Sequence, residues 1–192
     1  MSATELPRLW RALKAALAAI DPRIPENLYP GADDGAIERL RAGLTVDLPP
    51  ELEALYRENN GEGRLGLDYE APVAFFWVGN PARATGRNDY YFMEIDGLDG
   101  VVTEFAAFTE TADRRADLAC MERRGPVRNS STAWIPFAKD FGGNYLCVDL
   151  DPDIGGTPGQ IIEAAFDDGR LGVVSTGLAT YLTELHRALT RG

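Results

Sequence analysis

Hydrophobic positions recur at helical spacing towards both ends of the chain and at strand-like spacing between them. Spacings of three and four residues predict a first helix that ends near Ile20, a helix opened by Pro50, and a closing helix that starts near Leu178. Apolar runs bounded by Gly, Asp, Asn and Pro predict strands in the middle. This order favours an α+β fold with a mainly antiparallel sheet.

Short apolar runs between turn residues define the individual strands. They are predicted over 64–69, 73–78, 90–95, 101–108, 159–166 and 171–174. Asp96-Gly97 and Asp99-Gly100 predict a tight hairpin or a bulge between the third and the fourth of these strands. The segment 111–124 is predicted to be a helix.

Helix boundaries are marked by short polar residues and glycine. Asp33 or Asp34 is predicted to cap a short helix, because a short carboxylate can accept a hydrogen bond from the first unpaired amides. Gly61 follows two asparagines and predicts a helix stop with a left-handed backbone.

The stretch 134–152 predicts two strands joined by a tight turn. Gly142 and Gly143 separate its two apolar runs, and glycine adopts the positive φ that such a turn requires. Beyond the turn, Tyr145 and Cys147 share one face of the second strand. The exit from that strand carries alternating carboxylates at Asp149, Asp151 and Asp153.

Length and composition indicate one globular domain with an acidic surface. We expect a single domain over 1–192, with a helical N-terminal extension at 1–43 and a core at 44–192. Nineteen basic and thirty acidic residues give a net charge of −11. Because nucleic-acid binding needs clustered cations, this charge argues against direct contact with DNA or RNA. It suits a basic partner, and it equally suits plain solubility.

The termini and cysteines give expectations about location. Glu5 and nearby basic residues interrupt the N-terminal apolar stretch, which is not typical of a signal peptide. No apolar run approaches the roughly 18 residues of a membrane span. We therefore expect a cytoplasmic protein with no membrane partner. Cys120 and Cys147 lack metal or redox spacing, and both are predicted to be buried.

No catalytic, metal or phosphate-binding pattern is complete. The single histidine, His186, argues against a His-based zinc site. The alternating carboxylates could bind Ca²⁺ in an EF-hand loop, but Ile154 and Gln160 stand where that loop needs Gly and Glu. We therefore predict no cofactor and no metal. Carboxylates that could do acid–base work lie near one loop at Glu58, Glu62, Asp68 and Glu70.

Two segments carry ordered motifs. The first is Leu48-Pro49-Pro50-Glu51-Leu52, followed by Tyr56 and Asn60-Gly61. The second is Trp134-x-Pro136, Asp140, Gly142-Gly143, Asn144, Leu146-Cys147, Asp149-Leu150-Asp151-Pro152 and Gly159-Gln160-Ile161. In this order and spacing they resemble the SUKH superfamily of SMI/KNR-type proteins. That family includes the yeast cell-wall synthesis regulator and many bacterial proteins.

The resemblance implies a bent, mostly antiparallel sheet flanked by helices. Most bacterial members are immunity proteins, which bind and neutralise a toxin of their own secreted or contact-dependent system, commonly a nuclease. The family has no shared catalytic residues, so the resemblance implies a protein that is not an enzyme. Two other functions stay open: a regulatory or scaffold interaction protein, and an enzyme with an unrecognised carboxylate site.

These implications divide the candidate residues into two groups. The motif residues expected to be mainly structural are Leu48, Pro49, Gly61, Trp134, Pro136, Gly142, Gly143, Asp149, Pro152 and Gly159. A nuclease exposes a cationic groove to phosphates, so an acidic inhibitor is expected to bind a basic surface of its cognate toxin. The acidic residues expected to contact that partner are Asp140, Asp151, Asp153, Asp167 and Asp168.

Overall fold

The computed structural model describes residues 5–63, 90–110, 112–129 and 132–190, and these contain seven helices and six strands. The helices are α1 (Leu6–Ile20), α2 (Arg23–Glu26), α3 (Asp34–Gly43), α4 (Pro50–Glu58), α5 (Val101–Glu110), α6 (Ala112–Cys120) and α7 (Leu178–Thr190). The strands are β1 (Tyr91–Phe92), β2 (Glu122–Arg124), β3 (Trp134–Lys139), β4 (Tyr145–Asp149), β5 (Gln160–Ala165) and β6 (Arg170–Ser175). The strands predicted over 64–69 and 73–78 lie outside the described residues. Within them, no helix has both the length and the apolar composition to cross a bilayer.

The positions of the N-terminal helices follow from apolar residues at helical spacing and from residues suited to a helix start. The buried residues of α1 are Leu6, Trp10, Leu13 and Leu17. They lie along one side of the helix, which packs against α4 and α7. The Asp33 carboxylate accepts a hydrogen bond from the Ala36 amide at 2.7 Å, which confirms the predicted cap of α3. Helix α4 begins at Pro50, where proline forfeits no intrahelical hydrogen bond.

The strands form one sheet in the order β1-β3-β4-β5-β6-β2. All neighbouring strands run antiparallel except β2 and β6, which run parallel. Every residue of β4 and β5 is buried, so both faces of the sheet are covered at its centre. Helix α5 packs against β3, and α7 packs against β5 and β6. The predicted α+β class with a mainly antiparallel sheet is confirmed.

The predicted strand at 101–108 is wrong, because this segment forms α5. Its β-branched and aromatic residues favoured a strand. The buried residues of the segment, however, include Val101, Phe105 and Phe108. Their spacing of four and then three residues is helical, and this period decides the structure. Residues 96–100 accordingly form a turn into the helix and not a hairpin, with the Gly100 amide donating to the Gly97 carbonyl at 3.2 Å.

Two further predictions, for the segment that follows α5 in the sequence and for the burial of Cys120, are also wrong. The helix predicted over 111–124 ends at Cys120, and the last residues form β2 at the far edge of the sheet. All three side chains of β2 are exposed, so no apolar pattern marked this strand. Cys120 is exposed, because it lies two residues beyond the buried Leu118 of α6, whereas Cys147 is buried in β4 as predicted.

Gly61 lies where the chain after α4 passes closely over another backbone segment. Its φ is +81°, in the left-handed region that the sequence predicts. A Cβ at this position would lie 2.5 Å from the Glu94 amide nitrogen and 2.6 Å from its Cα. The Gly61 carbonyl accepts a hydrogen bond from the Tyr29 amide at 3.0 Å. Both backbone conformation and space therefore require glycine.

We expect Gly61→Ala to lower the free energy of unfolding by more than about 2 kcal/mol, because the strain of a left-handed alanine adds to overpacking against Glu94. Gly155→Ala is the matched control, since its φ is +91° but no atom lies within 4 Å of the added Cβ. The control should cost only about 1 kcal/mol. Urea denaturation of both variants measures the difference, and equal losses would contradict the role of the close approach.

Candidate functional site

Asp149 lies fully buried at the end of β4 and is the hydrogen-bonding centre of the second motif. Its Oδ1 accepts from Trp134 Nε1 and from the Asp151 amide, each at 3.0 Å. Its Oδ2 accepts from Gln160 Nε2 at 2.9 Å. Burial raises the pKa of Asp149, although hydrogen bonds from Gln160, Asp151 and Trp134 act in the opposite direction. One carboxylate thus joins β3, β5 and the loop after β4.

The loop after β4 docks on the residues that follow β2. The Pro126 carbonyl accepts hydrogen bonds from the Asp153 amide at 3.2 Å and from Gln160 Nε2 at 3.0 Å. Arg128 Nε lies 3.1 Å from the carboxylate of Asp151. The two acidic residues expected to bind a partner at this end are therefore also engaged within the fold.

The other three acidic candidates lie in the turns at the opposite end of the strands. The Asp140 carboxylate accepts from the Asn144 amide at 2.8 Å and from Asn144 Nδ2 at 2.7 Å. Asn144 Oδ1 in turn accepts from the Asp167 amide at 3.3 Å, so this side chain ties the β3–β4 and β5–β6 turns together. Asp168 is exposed and forms an ion pair with Arg170.

The acidic candidates therefore do not form one patch. Strand β4 begins next to Asn144 and ends at Asp149, and its five residues separate the two groups by roughly 17 Å at ~3.4 Å per residue. One group consists of Asp151 and Asp153, and the other of Asp140, Asp167 and Asp168. A partner protein therefore contacts only one of the two groups, unless its interface extends along the whole length of β4.

The two sequence motifs meet at an open groove of about 860 Å³, which the sequence did not predict. Its lining includes Leu44, Val46, Leu48, Pro49, Leu150 and Pro158. Gly159 and the start of α7 complete one side, and three charged residues line the rim: Arg41, Asp47 and Glu51. The described lining offers apolar contact and no cysteine or histidine.

A second hollow, of about 420 Å³, lies beside β1 at the edge of the sheet. It is lined by Tyr29, Glu62, Tyr91, Phe92, Glu94, Leu98 and Asp99. Phe141, in the β3–β4 turn, contacts Tyr91 with ring centroids 5.6 Å apart and extends the apolar surface towards Asp140. We call this surface the β1-edge face, defined by Tyr29, Tyr91, Leu98 and Phe141 with Glu94 and Asp99.

The sequence analysis did not find the β1-edge face, although its two most exposed apolar residues, Leu98 and Phe141, each stand next to turn residues. Leu98 stands alone between two Asp-Gly pairs, and Phe141 stands directly before the Gly142-Gly143 turn. An apolar residue enclosed by turn residues cannot be buried in a strand or helix of its own. Leu98 and Phe141 are brought to the same edge of the sheet by the pairing of β1 with β3, which local spacing does not reveal.

A largely buried lysine holds one carboxylate of the β1-edge face in place. Lys139 Nζ donates to Asp99 Oδ1 at 2.9 Å and to Glu104 Oε1 at 2.6 Å. Tyr145 donates its hydroxyl to the other oxygen of Glu104 at 2.8 Å. Burial alone would lower the pKa of Lys139, but the hydrogen bonds to Glu104 and Asp99 outweigh it and raise that pKa. The lysine is therefore charged at neutral pH.

The reactive groups considered in the sequence are dispersed in the described part of the chain. His186 is half-buried on α7. Glu62 accepts a hydrogen bond from a β1 amide, and Glu58 pairs with an arginine of α1. Outside the described residues lie Asp68 and Glu70. Among residues 5–63, 90–110, 112–129 and 132–190, no three His, Cys, Asp or Glu side chains are grouped so that they could hold a metal ion.

Comparison with known proteins agrees with the sequence resemblance. A family model described as the SMI1 / KNR4 family (SUKH-1) matches residues 31–184, a span that contains both motifs and the whole sheet. A search of curated proteins finds none that matches.

We expect Asp149→Ala to lower the free energy of unfolding by more than about 2 kcal/mol, because it leaves buried donors on Trp134 and Gln160 without their acceptor. Asp151→Ala is the control, since it removes an exposed carboxylate two residues away and should cost less than about 1 kcal/mol. Urea denaturation followed by tryptophan fluorescence measures both. A loss of similar size in the two variants would contradict the central role of Asp149.

Proposed function

This chain belongs to the SMI1 / KNR4 family (SUKH-1), and on that premise we propose that it is an immunity protein. It binds a cognate protein toxin in the cytoplasm and neutralises it by stoichiometric contact, without catalysis. The observation that carries the proposal is the net charge of −11 on a member of this family.

The charge favours a basic toxin, of which a nuclease is the leading example. A nuclease presents a cationic surface to phosphates. An acidic inhibitor approaches such a surface faster than diffusion alone allows, because the long-range fields of the two proteins are complementary. Speed is useful to an immunity protein, since a free nuclease damages its substrate with every turnover.

The use of the buried carboxylates supports a role in binding and not in catalysis. Those that accept hydrogen bonds within the fold and line neither hollow include Glu104, Asp149 and Glu163. Each bond ties a strand to another part of the chain, which is a structural use. A catalytic carboxylate would instead face substrate in a pocket.

We expect co-expression of this chain to restore growth to cells that produce the toxin domain encoded by the adjacent gene. The purified pair should form a complex of fixed stoichiometry, with an association rate that falls at least about tenfold between about 0.05 M and 0.5 M salt. Binding without rescue would contradict neutralisation and favour a regulatory interaction. Protection by far less than one equivalent would favour an enzyme.

The two acidic ends of the sheet can be compared by charge reversal. Asp153→Lys changes one end, and Asp167→Lys or Asp168→Lys changes the other. We expect reversal at the end that faces the toxin to weaken binding at low salt by about tenfold or more, whereas reversal at the distant end has a smaller effect. Surface plasmon resonance measures the affinities. Unchanged binding in all three variants would contradict a role for these acidic turns.

A further inference from the structure

We propose that the β1-edge face is where the toxin docks, and that its hollow receives an arginine or lysine side chain of that toxin. This inference rests on the proposed function and adds the contact surface and the chemistry of the contact. It places the apolar centre of the interface at Leu98 and Phe141, away from the acidic loop that follows β4.

Exposed apolar side chains are concentrated at this face. The large hydrophobic residues exposed in the described chain are Ile20, Tyr29, Leu98, Phe141 and Ile154. Three of these five belong to the β1-edge face, and Leu98 and Phe141 are 92% and 70% exposed. Tyr29 and Leu98 line the same hollow as Tyr91, and Phe141 contacts the Tyr91 ring. Single exposed apolar residues are ordinary, but a cluster of them is typical of a docking surface.

The hollow at the centre of the face is suited to a cation. Glu62, Glu94 and Asp99 line it together with the rings of Tyr29 and Tyr91. Asp99 also accepts a hydrogen bond from Lys139, and Glu62 accepts one from the Phe92 amide, so the negative charge offered to a ligand comes mainly from Glu94. Carboxylates bind a guanidinium or ammonium group through charge-assisted hydrogen bonds, and aromatic faces add a cation–π contribution. A hollow of about 420 Å³ has room for one long side chain.

The turn that carries Leu98 is already held in place. Asp96 pairs with Arg39 of α3 at 2.9 Å. The Thr103 hydroxyl donates to the Gly97 carbonyl at 2.8 Å, which fixes the turn to the start of α5. Because both flanks are fixed, little backbone entropy is lost when a partner covers Leu98. A rigid apolar tip next to negative charge suits an anchor residue at the centre of an interface.

The acidic residues of the β3–β4 and β5–β6 turns lie next to the β1-edge face and extend its negative charge. Phe141 follows Asp140 directly, and a Cβ on Gly142 would lie 3.5 Å from Asp167 Oδ2. Asp140 and Asp167 therefore add negative charge next to the apolar cluster. At the other end of the sheet, Ile154 is exposed alone on its loop, with no comparable group of apolar neighbours among the exposed residues described.

Two variants test the face by different chemistry. Leu98→Arg places a cation on the apolar tip, and Glu94→Gln removes one charge from the hollow. Against the purified toxin domain encoded by the adjacent gene, we expect Leu98→Arg to weaken binding by about a hundredfold and Glu94→Gln by about tenfold. Isothermal titration calorimetry measures the affinities, and circular dichroism checks that each variant is folded.

Each variant has a matched control. Ile154→Arg adds the same charge at a residue that is 98% exposed, and Glu122→Gln removes the same charge from β2, at the opposite edge of the sheet. Both controls should bind within about threefold of the wild type. Equal losses in variants and controls, no loss in either variant, or loss in the controls alone would overturn the docking face and leave the proposed function standing. Failure of the wild-type protein to bind would contradict the proposed function itself.

Discussion

One buried carboxylate, that of Asp149, links two strands that are not neighbours in the sheet, β3 and β5, to the loop after β4. It accepts hydrogen bonds from a tryptophan of β3, a glutamine of β5 and the backbone of the loop after β4. Burying a carboxylate is costly unless donors surround it, so its surroundings have to be specific. That requirement explains why Trp134, Asp149 and Gln160 occur together in the second motif. The same contacts fix the loop whose end forms one wall of the apolar groove.

The sequence was sufficient for features that depend on local chemistry. The cap of α3, the start of α4 at Pro50, the left-handed Gly61, the turn at Gly142-Gly143 and the strands β3 to β6 follow from residue types and spacing. It failed where propensity and period disagreed, as at α5, whose β-branched residues suggested a strand. It also failed at β2, which has no apolar residue and forms only because β6 offers an edge.

The candidate site depended on contacts that spacing does not encode. The acidic residues were correctly found in turns, but nothing in their spacing shows that a strand divides them. The β1-edge face combines Tyr29, Leu98 and Phe141, which are far apart in sequence. The pairing of β1 with β3 brings Leu98 and Phe141 to one edge, and the bridge between Leu28 and Glu62 brings Tyr29 there. Residues that gather through long-range pairing cannot be grouped before the topology is known.

Net charge alone does not locate a binding surface in a protein with so many carboxylates. Several are used internally: Asp140 holds a turn, Asp149 holds the core, and Asp151 pairs with an arginine. Charge spread over the surface can speed approach to any basic protein, so it gives little selectivity. Selectivity requires short-range contacts that only one partner can complete. Carboxylates beside rigid exposed apolar residues meet that requirement, because the same partner has to present both a cation and an apolar pocket at the right distance.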